Sequence, residues 1–102
     1  MAKTEIKTTI KPSLSLVEPP LFKIIYLNDE VTSMEFVVST LIEYFNYTDV
    51  TAIHITENIA SQGSAVVAVL PYEIAEQKGI EVTVAARSNS YPLQIKLEPD
   101  QA

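Results

Sequence analysis

Apolar and aromatic residues run from position 21 to 27 with Lys23 as the single charge, then stop at Asn28, Asp29 and Glu30. The β-branched and aromatic content of residues 22–27, set between Pro20 and that polar triplet, predicts a strand. From Thr32 the period changes. Met34, Val37, Val38, Leu41 and Phe45 recur at helical spacing and share one face, while Glu35, Ser39 and Glu43 lie opposite. Thr32 followed three residues later by Glu35 reads as a capping box, which places the helix start at Thr32.

Asn46 and Tyr47 form a short turn, and Thr48 or Asp49 caps a second helix running to about Ser61. Ala52, Ile55 and Ile59 make its apolar stripe, with Thr56 and Ala60 beside it, and Gly63 follows where a left-handed C-terminal cap favours glycine. Residues 65–70 are apolar on both faces, so the second strand is expected at the centre of the sheet. Pro71 opens a third helix to about Arg87, with Ile74, Ala75, Val82, Ala85 and Ala86 inward. Gly79 interrupts it at a cost of about 1 kcal/mol relative to alanine. Residues 88–92 form a loop, and Leu93, Ile95 and Leu97 then alternate with Gln94, Lys96 and Glu98 in a half-buried third strand. The order β-α-α-β-α-β gives an α+β domain with helices on one face of a small antiparallel or mixed sheet.

A chain of 102 residues suits one small core. Residues 1–19 carry no period and end in Pro19-Pro20, which predicts a flexible N-terminal extension ahead of a domain spanning residues 20–102. Ile10, Leu14, Leu16 and Val17 leave open a short strand laid on the domain. Charge is uneven. The extension holds three lysines against two glutamates, +1, and the remainder four basic against eleven acidic residues, −7. An acidic body argues against nucleic acid as a partner. Without an apolar segment of signal-peptide or membrane-spanning length, no membrane role and a cytoplasmic location are expected.

The chemistry available is narrow. There is no cysteine, hence no disulfide, thiolate ligand or thiol nucleophile. A lone His54, with only Glu57 near it at helical spacing, makes a poor metal site and reads as a structural histidine. No glycine-rich phosphate loop exists. No enzyme activity, cofactor or metal is expected. The Asn28-Asp29-Glu30 loop, with Met34 and Val37 close behind, suits a ligand cationic at one end and apolar at the other; an acidic turn that merely caps a helix has the same composition.

The run Pro20-Leu21-Phe22-Lys23-Ile24-Ile25-Tyr26-Leu27-Asn28-Asp29-Glu30, followed by Thr32, Met34-Glu35-Phe36-Val37 and Phe45, resembles the signature of the ClpS family. These are adaptors that recognise N-degrons, destabilising N-terminal residues, and hand their bearers to a Clp unfoldase-protease. The likeness continues through Gln62-Gly63, Glu73-Ile74-Ala75-Glu76, Lys78 and Tyr91-Pro92-Leu93, covering about residues 20–98. It implies a three-stranded antiparallel sheet with three helices on one face, as in the C-terminal domain of the ribosomal stalk protein. It also implies a monomer that binds Leu-, Phe-, Tyr- or Trp-bearing N-termini and docks on the N-terminal domain of a Clp AAA+ unfoldase, which the extension engages during delivery.

By the same carry-over, Asn28, Asp29 and Glu30 bind the ligand's amino group. Leu27, Met34, Val37, Val38, Thr56, Ile59, Ala60 and Leu93 form the hydrophobic pocket, and Glu73 and Lys78 contact the unfoldase. Two positions depart from the family. Ala60 stands where it has a histidine that helps bind the amino group, and Thr56 replaces a pocket methionine. The implied alternatives are an unfoldase-binding modulator with weak or altered N-degron recognition, or a structural module like the stalk domain.

Overall fold

The computed structural model describes residues 19–101. The predicted extension, apart from Pro19, lies outside the described residues. The elements are β1 (Leu21–Leu27), α1 (Met34–Phe45), α2 (Asp49–Gln62), β2 (Ser64–Pro71), α3 (Tyr72–Ser88) and β3 (Gln94–Pro99). This is the expected β-α-α-β-α-β order with a three-stranded antiparallel sheet.

Strand order corrects one expectation. β1 is central, flanked by β2 and β3, so β2 is an edge strand despite its unbroken apolar sequence. Its Val66 and Val69 are 48% and 40% exposed. An apolar run signals a strand without saying how many neighbours it has. The register places Phe22, Ile24 and Tyr26 of β1 on the helix-covered face, opposite Leu70, Ala68 and Ala65 of β2 and Pro99, Leu97 and Ile95 of β3. Between Ile24 and Ile25 the ladder with β2 slips by one residue, and Val67 is the extra residue of that bulge. Val67 is buried, and its carbonyl accepts the Tyr47 hydroxyl from the α1–α2 turn.

The core joins Ile24 and Tyr26 to Leu41 of α1, Ala52 of α2 and Ala75, Val82 and Ala86 of α3, all fully buried. Ile74, expected inward, is 45% exposed; the buried line of α3 is Ala75, Gly79, Val82 and Ala86. Gly79 does not interrupt α3: the helix runs unbroken through it, and it lies buried beside Ile95 of β3. Gly63 closes α2 in the left-handed region, φ 89°, as its place after the apolar stripe suggested.

Among the described residues, Tyr26 carries the one buried side-chain-to-side-chain hydrogen bond between elements of the core. Its hydroxyl lies 2.8 Å from Thr40 Oγ1, and Thr40 Oγ1 donates its own proton to the Val37 carbonyl at 2.8 Å. Tyr26 is therefore the donor in the pair.

Candidate functional site

The loop between β1 and α1 is held from within by Asp29. Its Oδ1 accepts the backbone N–H of Val31 at 2.8 Å and of Thr32 at 2.7 Å, and its Oδ2 accepts the Thr32 hydroxyl at 2.8 Å. This captures Thr32 and moves the helix cap one residue on, correcting the expected start. Ser33 is the N-cap, and its Oγ accepts the Phe36 N–H at 3.1 Å. Partial burial opposes ionisation of Asp29, but the bonds from Thr32 and Val31, with the Arg87 charge, outweigh it and hold the carboxyl below its usual range. Arg87 is itself fixed, with Nη1 donating to the carbonyls of Tyr91 at 2.8 Å and Leu93 at 2.9 Å.

Asn28 anchors the loop from outside. Its backbone N–H donates to the Gly63 carbonyl at 2.9 Å, tying the loop to the end of α2, whose last turn carries the exposed Ala60. The Asn28 and Glu30 side chains are exposed. Beside them Leu27, Asn28, Asp29, Pro92 and Gln94 line a shallow depression of about 210 Å³.

A larger cavity, about 350 Å³, opens between α1 and α2 and is lined by Met34, Glu35, Val38, Ile53, Thr56 and Glu57. Met34 and Ile53 are 51% and 43% exposed and form its rim, while Thr56, 3% exposed, is its floor. The cavity begins where the loop ends, because Met34 directly follows the Ser33 cap.

Of the sequence-derived pocket residues, Met34, Val38 and Thr56 line this cavity. Val37, Ile59 and Leu93 lie in the core behind it, Ala60 is on the surface, and Leu27 is at the smaller depression. Ile53, Glu35 and Glu57 also line it and escaped the sequence reading. The available signal was Ile53, Thr56 and Glu57 at i, i+3 and i+4, a second stripe beside the core one.

Glu73 is exposed on the first turn of α3 and Lys78 is half-buried. Five residues of helix set them about 140° apart around its axis, so they flank a face rather than share a line. Among the described residues no group of three or more His, Cys, Asp or Glu could hold a metal ion, and no helix is long and apolar enough to cross a membrane. His54 is exposed.

The family model for the ATP-dependent Clp protease adaptor protein ClpS matches residues 17–96. The chain belongs to the ClpS family. It is 36% identical to the ATP-dependent Clp protease adapter protein ClpS of Myxococcus xanthus over 96% of this chain and 92% of that protein. The ClpS of Roseobacter denitrificans is 40% identical over 96% of this chain and 85% of its own length. Among solved structures, Agrobacterium tumefaciens ClpS2 bound to L-phenylalaninamide superposes with a TM-score of 0.79 at 35% identity, covering 81% of this chain and all of that one. ClpS proteins are adaptors of the Clp protease rather than proteases, so the chain's partners are the Clp unfoldase-protease and the substrates handed to it.

Proposed function

We propose that this ClpS-family adaptor captures protein N-termini whose first residue is Leu, Phe, Tyr or Trp, and delivers them to the Clp unfoldase. One juxtaposition carries the reading: an apolar cavity of about 350 Å³ whose first wall residue directly follows an acceptor-rich loop. An α-ammonium group brings three donors and is costly to bury unpaired. The Asn28 side chain, the Glu30 carboxylate and the lone pairs that Asp29 does not spend on Val31 and Thr32 supply acceptors at one end. Met34, Val38, Ile53 and Thr56 supply the apolar receptacle at the other. L-phenylalaninamide, the ligand of the related ClpS2, has a free amino group beside a benzyl side chain and so has this two-ended chemistry.

Docking on the unfoldase's N-terminal domain through Glu73 and Lys78 uses α3, which does not line the cavity, so a monomer can hold peptide and unfoldase on different elements. Residues 1–19 act in delivery in this scheme. Deleting residues 1–17 is expected to leave peptide binding unchanged and to abolish stimulated degradation.

A second reading, an unfoldase-binding modulator with weak or altered N-degron recognition, draws on Ala60, which offers no hydrogen bond, and on Asp29, whose oxygens already hold the loop. Calorimetry with Phe-first peptides, free and acetylated at the amino group, separates the two. Tight binding of the free form alone supports the adaptor. Equal binding of both forms overturns the ammonium site, and no binding of either favours the modulator.

A further inference from the structure

The cavity between α1 and α2 has an unusual balance of hydrogen-bonding groups. Val38 and Ile53 offer none, and the Met34 sulfur is a weak acceptor. Glu35 and Glu57 contribute carboxylate oxygens, which are acceptors. Thr56 is 3% exposed, and its single hydroxyl proton is given to the Ala52 carbonyl at 2.8 Å, so only its oxygen lone pairs remain. Backbone N–H groups of a helix lie along its axis, not toward a groove beside it. The side chains of this cavity therefore present acceptors without a donor. Among the described residues the one ion pair is Lys96–Glu98, so none of their cations engages Glu35 or Glu57.

We infer that the cavity selects first residues whose apolar ring carries a hydrogen-bond donor, Tyr and Trp, over Phe and Leu, and that the Thr56–Glu57 wall of α2 reads the donor. The inference rests on the proposed capture of N-termini and specifies its ligand class. A phenol O–H or an indole N–H fits a largely apolar slot with an acceptor at its floor and another at its rim. A phenyl or isobutyl group fills the same slot and gives the buried Thr56 oxygen no donor. Sites built to meet a donor discriminate against analogues that lack it for this reason. Methionine, the family residue at position 56 by resemblance, leaves no oxygen at the floor, so the preference belongs to this chain's own sequence.

The test uses the full chain and four peptides identical after residue one, beginning with Tyr, Phe, Trp or Lys, titrated by calorimetry. Tyr is expected to bind about three- to tenfold more tightly than Phe, the effect of one added hydrogen bond. In the double variant Thr56→Val, Glu57→Ala the Tyr:Phe ratio falls to about one, whatever the change in Phe affinity itself. Both positions border the cavity, so each single variant is first checked for unchanged melting. A wild-type ratio of one or less with both peptides bound overturns this inference and leaves N-terminal capture standing. A ratio that survives in the double variant also overturns it, as does tighter binding of the Lys peptide, which has a donor without a ring. If none of the four binds, N-terminal capture and this inference fall together.

Discussion

Asp29 grips Thr32 twice, through the backbone N–H at 2.7 Å and the hydroxyl at 2.8 Å. A carboxylate placed to meet a ligand is thus first a fastener of the loop that presents it. Its pKa is depressed in the folded chain, so its contribution is complete above the ordinary aspartate value of about 3.9 and is lost as pH falls through the folded value. The melting-temperature difference between wild type and Asp29→Asn is expected to be flat from neutral pH down to about 5 and to close in acid. A difference that grows below pH 4 contradicts this.

Tyr26 gives the opposite sign. Burial drives its phenol well above the usual range, and Tyr44 adds to the rise. A raised phenol favours the neutral form, so its contribution is present below about pH 10, the unfolded value, and declines above it. Tyr26→Phe should flatten that alkaline decline. Near neutral pH it should cost about 1 kcal/mol, whereas Thr40→Val should cost about 1–3 kcal/mol by leaving a buried hydroxyl unpaired. Urea denaturation of the two variants gives the ranking.

Gly79→Ala is expected to stabilise. An added Cβ would meet Ile95 Cγ2 at 3.6 Å, an ordinary contact, in a continuous helix. The propensity gain is about 1 kcal/mol, or several degrees of melting temperature in a domain of this size. A fall in melting temperature would show that strand and helix cannot accept the methyl group.

Ala60→His should tighten free-amine peptides about tenfold or more, whatever their first residue, because the added group acts on the shared ammonium. Ala60 is exposed in the last turn of α2, beside the Asn28–Gly63 tie, so the new side chain has room without displacing core. Calorimetry on Leu- and Phe-first peptides checks it. Unchanged affinity would mean that the amino group is already satisfied without position 60.

Periodicity and punctuation carried most of the fold. Gly63 marked the end of α2, the Thr48-Asp49 pair its start, with Thr48 the cap, and alternation marked β3. What failed was competition between equivalent residues. Thr32 and Ser33 are both good caps, and only the distant Asp29 decides which one the helix uses. Sheet position was illegible in β2 because its exposed valines lie on a face no helix covers. At the site, residue order located the loop and half of the cavity wall. Val37, Ile59 and Leu93 are buried in the core and do not line that cavity; spacing along a helix tells which residues share a side but not which of them ends at a cleft.

The extra residue at Val67 has a meaning beyond its own packing. An outer strand reading Ser-Ala-Val-Val-Ala-Val-Leu-Pro is an invitation to any passing extended chain, and an adaptor works among unfolding ones. The bulge breaks the straight row of backbone groups that such a chain would zip onto, and the Tyr47 hydroxyl fills the Val67 carbonyl it leaves unmatched. Pro71 ends the strand with no N–H to offer. This flank of the sheet is thereby made a poor template for edge-to-edge pairing.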